Sequence, residues 1–107
     1  MVTVLPPNRD SLTVLLVGEL DHHEASKIRG EIDGALEKYR PQKLVIDFGG
    51  INFMDSSGIR LVMGRYKLIK SWGGKVEITN VPKNLKRVMK LAGLEKLARI
   101  DDGGEEQ

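Results

Sequence analysis

Apolar and polar positions follow two rhythms along this chain. Val2 to Leu5 is a short β-rich run stopped by Pro6 and Pro7, and Asn8-Arg9-Asp10 is turn chemistry. Leu12 to Val17 is again β-rich and nearly continuous in apolar character, which predicts a strand buried on both faces. The few residues between these runs predict a hairpin. The rhythm then changes. Ala25, Ile28, Ile32, Ala35, Leu36 and Tyr39 recur at helical spacing and mark one core-facing stripe. Asp21, three residues before Glu24, has capping-box spacing and predicts the helix start. Pro41 predicts its end, and Gly34 is a weak point inside it.

Leu44-Val45-Ile46 fits a central strand, and Gly49-Gly50 after Asp47-Phe48 reads as a turn at its end. Phe53-Met54 lead into Asp55-Ser56-Ser57-Gly58, where a second helix should begin. Ile59, Val62, Met63, Tyr66 and Ile69 line its core face, and Leu61 and Leu68 add a flank, so burial on more than one side is expected. Gly73-Gly74 terminates it. Val76 and Ile78 alternate with Lys75, Glu77 and Thr79, as in a strand with one wetter face. Pro82 suits the first turn of a third helix, with Leu85, Val88, Met89 and Ala92 as its core face and Gly93 as its cap. Leu94, Leu97 and Ile100 are too few to assign, beyond room for one more short strand. The order β-β-α-β-α-β-α(-β) predicts an α/β fold: a small mixed sheet, mostly parallel, with helices packed against it.

Composition narrows the class. A chain of 107 residues, 40% hydrophobic and 30% charged, fits one domain with its own core. We expect that domain over residues 1–100, and an acidic, disordered tail over 101–107. The absence of cysteine removes disulfides, thiolate metal sites and cysteine nucleophiles, and suits a reducing cytoplasm. No apolar stretch approaches the ~20 residues a membrane helix needs, and no signal-peptide pattern opens the chain. Seventeen basic against fifteen acidic residues, net +2, is too mild an excess to indicate direct nucleic-acid binding.

Candidate chemistry is sparse. The only histidines, His22 and His23, are adjacent, and no G-x-S-x-G elbow accompanies the serines. A metal set of His22, His23, Asp21 and Glu24 would need convergent donors, whereas neighbouring histidines at a helix start diverge. There is no Walker A sequence and no G-x-G-x-x-G after a strand. Asp47 would lie at a strand's C-terminal end, as a phosphoacceptor does, but the chain opens with a hairpin rather than a βα unit. Lys83, Lys86, Arg87 and Lys90 form a basic stripe without interleaved aromatics, which reads as a solvated face. Asp55-Ser56-Ser57-Gly58 is the most specific candidate. Hydroxyls at a helix N-terminus could accept a phosphate beside free N–H groups and the positive end of the dipole. Ser and Asp are equally ordinary N-caps, and these four residues alone leave the two readings level.

Three segments tip that balance together. Gly18-Glu19-Leu20-Asp21-His22-His23, Phe53-Met54-Asp55-Ser56-Ser57-Gly58 and Gly64-Arg65-Tyr66-Lys67-Leu68-Ile69-Lys70 resemble the anti-sigma factor antagonists of the STAS domain family, especially the sporulation type. The resemblance runs in one register from about Leu12 to Ile100. It implies a non-enzymatic phospho-switch without cofactor or metal. The unphosphorylated antagonist binds an anti-sigma factor that is an ATP-dependent serine kinase, and so frees a sigma factor for transcription. The kinase phosphorylates the first serine of D-S-S-G, here Ser56, with Ser57 a neighbour; a PP2C-type phosphatase resets it. We expect the docking surface to join Asp21, His22 and His23 to Asp55, Ser57, Gly58, Arg60, Gly64 and Lys67, with Gly58 and Gly64 allowing close approach. A STAS scaffold in another signalling pathway, or a small nucleotide-binding protein, are the alternatives. The family's final helix has little room after Ile100.

Overall fold

Each helix starts where an aspartate or proline follows a strand, and each strand after the first hairpin lies parallel to the one before it. A computed structural model describes residues 1–101 of the chain. The elements are β1 (Val2–Val4), β2 (Ser11–Leu20), α1 (His22–Tyr39), β3 (Lys43–Met54), α2 (Ser56–Lys70), β4 (Lys75–Thr79), α3 (Lys83–Leu91), a 3-10 turn (Leu94–Lys96) and β5 (Arg99–Ile100). The five strands pair in chain order, β1 antiparallel to β2 and the others parallel. This is the mixed sheet expected, and the last apolar residues, left unassigned above, form the 3-10 turn and β5.

The strand order never reverses. Right-handed crossovers that always step the same way put every helix on one face of the sheet. Burial follows that rule. Leu12 and Val14 register with Leu44 and Ile46, and these with Val76 and Ile78; all six are buried. Ile28, Ile32 and Leu36 of α1, Ile59, Val62 and Ile69 of α2, and Leu85 and Met89 of α3 complete a single core. The expected burial of β2 on both faces is therefore corrected. Leu12, Val14 and Leu16 are buried, whereas Thr13 and Leu15 are half-buried and Val17 is 50% exposed, because no described helix covers the second face.

β3 is also longer than expected. Gly49 and Gly50 lie inside it rather than in a turn, and twelve residues of β3 run beside ten of β2. Register shifts between Leu15 and Val17 and between Gly18 and Glu19 absorb the two extra residues as bulges. At the first, a Cβ on Gly50 would stand 2.8 Å from the Leu16 carbonyl oxygen, so only glycine lets the strands approach. Three other core expectations fail. Tyr39 and Val88 are 42% and 43% exposed, and Ala92 is exposed, because α1 and α3 meet the sheet through Leu36 and through Leu85 and Met89. Asp101 is held by its N–H donating to the Ile78 carbonyl at 2.7 Å and its own carbonyl accepting from Val81 at 3.0 Å. Residues 102–107, the rest of the expected tail, lie outside the described residues.

Candidate functional site: paired helix starts

Parallel pairing brings the two aspartate turns together. Leu20 and Met54 are register partners at the ends of β2 and β3, so α1 and α2 begin side by side. Each start has an aspartate N-cap with extended backbone. Asp21 Oδ1 accepts from the Glu24 N–H at 2.9 Å, and Asp55 Oδ1 accepts from the Ser57 N–H at 2.8 Å. The expected capping box is half made, since the Glu24 carboxylate turns instead to the chain's amino terminus at 3.3 Å and to Lys27. The Asp55 N–H donates to the Leu20 carbonyl at 3.4 Å, stitching the two turns. The Asp55 carboxyl is held below the ordinary carboxylate range, first by the Ser57 N–H; desolvation opposes that shift, and the Ser57 hydroxyl, the His22 N–H and the Arg60 charge add to it. Asp55 is thus ionised at neutral pH and touches both helix starts.

The adjacent serines have different surroundings. Ser56, the first residue of α2, is exposed, while Ser57 is 6% exposed. Arg60, one turn on, donates from Nη1 to Ser56 Oγ at 3.3 Å and from Nη2 to Ser57 Oγ at 3.4 Å. The amides are less available than the sequence suggests. The Ser57 N–H is taken by the Asp55 side chain, and the Gly58 N–H by the Asp55 carbonyl at 3.0 Å. A cleft of about 220 Å³ opens between the helices, walled by His22, Ser26 and Arg29 from α1 and by Ser57, Arg60 and Leu61 from α2.

Of the residues expected at a docking surface, Asp21 is half-buried and His22, His23, Arg60 and Lys67 are exposed, on the two adjoining helices. Gly64 has open space where a side chain would stand. Gly58 does not face outward. A Cβ there would come within 2.3 Å of Met54 Cγ and 3.0 Å of Leu20 Cδ2, so its small size serves packing, and the expectation that it admits a partner is corrected. Ser57 is likewise buried and offers little surface.

Sequence reasoning missed three residues. Arg29 and Ser26 wall the cleft because α1 passes beside α2, which no local pattern reports. Arg65 is 7% exposed, with its Nε 2.8 Å from Asp33 Oδ1 in an ion pair too poorly aligned to count as a hydrogen bond. Burial lowers the Arg65 pKa, Asp33 opposes that shift, and Arg29 adds to it. Arg65 stands three residues after Val62 and four before Ile69, a core spacing that could have flagged it.

The other candidates find structural roles. Asp47 accepts from the Gly49 N–H and from Asn80 Nδ2, both at 2.8 Å, so its carboxylate is committed to the strand end. A sheet order without reversal has no switch-point crevice for a nucleotide. Among the described residues no group of three His, Asp or Glu converges for a metal, and no helix is long and apolar enough to cross a membrane. Lys83, Lys86, Arg87 and Lys90 line only a shallow open groove on α3.

Comparison with known proteins agrees with this architecture. The STAS domain model matches residues 3–106. An anti-sigma F factor antagonist of Paenibacillus polymyxa is 37% identical over 95 residues, covering 89% of this chain and 81% of the relative. The solved structure of the anti-sigma factor antagonist SpoIIAA in its unphosphorylated form superposes with a TM-score of 0.77 at 27% identity, covering 98% of this chain and 91% of that one. The phosphorylated form of the Bacillus cell fate determinant SpoIIAA gives 0.74 at 28% identity, covering 94% and 90%.

Proposed function

The chain belongs to the STAS domain family, and from that premise we propose that it is an anti-sigma factor antagonist switched by phosphorylation of Ser56. In its unphosphorylated form it binds an anti-sigma factor that is an ATP-dependent serine kinase, in the cytoplasm, and thereby frees a sigma factor. It acts by binding and performs no chemistry of its own. The kinase transfers the γ-phosphoryl group of ATP: the Ser56 Oγ–P bond forms, the bond to ADP breaks, and the hydroxyl proton passes to a base of the kinase. A PP2C-type phosphatase hydrolyses the ester and restores the binding form.

One observation carries this reading. Ser56 is an exposed hydroxyl on the first residue of α2, beside a second helix start, while its neighbour Ser57 is buried. A kinase can reach the first serine without unfolding the helix and cannot so reach the second. The relatives' names supply the class of partner. The docking surface joins Asp21, His22 and His23 at the start of α1 to Asp55, Arg60, Gly64 and Lys67 along α2, with Ser57 and Gly58 shaping it from beneath.

The charge added is local and large. A phosphoserine carries about −1.5 to −2 at neutral pH. A partner carboxylate about 6 Å away is repelled by roughly 3 kcal/mol per unit of that charge at an effective dielectric near 20. That is about a hundredfold in affinity for each unit of charge, so release needs no global rearrangement. The testing experiment is a pull-down from the native cell extract with wild type, Ser56→Asp, Ser56→Ala and Ser57→Ala, read by mass spectrometry. Capture of one ATP-binding anti-sigma kinase by all but Ser56→Asp is expected. The same partner on all four, or no kinase on any, rejects the reading and favours a STAS scaffold in another pathway.

A further inference from the structure

Arg60 stands one helical turn after Ser56, on the same face of α2. Its guanidinium spans both serine hydroxyls, Nη1 at 3.3 Å and Nη2 at 3.4 Å. It is exposed and forms no ion pair within 4.0 Å among the described residues, although Asp55 feels its charge. Two neutral hydroxyls use little of its capacity. A guanidinium has five donors in a planar fork that fits a phosphate bidentately. The usual alternative, the amides of the helix start, is largely spent, since Asp55 already takes the Ser57 and Gly58 N–H groups. Asp55 would also repel a phosphate on Ser56. That phosphate therefore has one strong donor within reach on its own helix.

We propose that Arg60 captures the Ser56 phosphate in cis, so that modification withdraws a cation from the docking surface as well as adding negative charge to it. The proposal deepens the functional reading and rests on it only for Ser56 being the residue modified. In the free form, the fork of Arg60 faces the cleft and is open to a carboxylate of the partner. In the modified form the phosphate occupies it. One cation then serves two anions in turn, and release becomes competition as well as repulsion.

The test uses the full chain with phosphoserine placed at position 56 by genetic encoding, without any kinase. ³¹P NMR then follows the second ionisation of the phosphate. The groups around it are Asp55 and Arg60 on α2 and, across the cleft that Ser57 and Arg60 line, His22 and Arg29 of α1. The titration is run in a His22→Gln background, which removes a second ionisable side chain from the cleft. Arg60→Gln is expected to raise the phosphate pKa by on the order of 0.5 unit, a modest value because the site is exposed. Lys67→Gln removes the same charge from the same helix two turns further on and is expected to leave the phosphate unchanged. Equal values with and without Arg60, or a Lys67→Gln shift as large as that of Arg60→Gln, overturn capture. The functional reading fails separately: protein isolated from cells with active kinase would carry no phosphate on Ser56.

Discussion

The starts of α1 and α2 share a plan and differ in what they leave free. Both follow parallel strands that end in register, and both are capped by an aspartate whose Oδ1 accepts a backbone N–H. At α1 the next acidic residue, Glu24, is tied to the amino terminus and Lys27, and the first two helical residues are exposed histidines. At α2 one hydroxyl is exposed, one is buried, and an arginine without an ion pair lies across both. One backbone geometry thus carries an ion-paired carboxylate in one place and an exposed guanidinium hydrogen-bonded to two hydroxyls in the other. The caps are alike; the side chains within one turn of them make the two starts different.

The contrast can be attacked at several strengths. The largest effect is expected from one negative charge at either start. Ser56→Asp should weaken binding of the proposed partner, an anti-sigma kinase, about a hundredfold by calorimetric titration. His22→Asp, at the equivalent first position of α1, should weaken it less; equal losses would mean that the α2 start is not special. Next comes packing. Gly58→Ala must push Met54 aside, and should lower stability by about 1–3 kcal/mol in urea unfolding. Gly34 of α1 is exposed with open space around it, so Gly34→Ala should raise stability by about 0.5–1 kcal/mol.

Smaller effects separate the two caps. Hydrogen bonding from Ser57 lowers the Asp55 pKa in the folded state. Its stabilising contribution is then complete above the unfolded-state value near 4 and fades as the pH falls through the lower folded value. Asp55→Asn keeps the cap oxygen without the charge, so its stability should vary less with pH below about 4 than that of wild type. Matching acid limbs in urea melts would contradict this assignment. Asp21→Asn should change stability by no more than about 0.5 kcal/mol, since asparagine caps as well as aspartate. An undiminished affinity for the kinase in that variant would limit Asp21 to capping.

Much of this protein is legible locally. The stripe Ala25, Ile28, Ile32, Leu36 and the alternation of Val76 and Ile78 report their elements because burial on one face imposes a period. Asp21 and Asp55 mark helix starts because orphan N–H groups need an acceptor. The failures share a cause. Continuous apolar character in β2 does not reveal that helices cover one face only, which follows from the order of all five strands. Gly49-Gly50 resembles a turn until β2 is placed against it. Gly58 resembles an opening for a partner until Met54 and Leu20 are placed beneath it.

The sequence by itself determined the element order, the two aspartate caps and the D-S-S-G start of α2, since each depends on groups within a few residues of one another. Tertiary structure alone decided that Ser56 is open and Ser57 closed, that Gly58 packs on Met54 and Leu20, and that Arg29 and Arg60 line one cleft. Those relations are set by strand register and by the side on which helices pack. Both are properties of distant segments meeting, and no local pattern of residues encodes them.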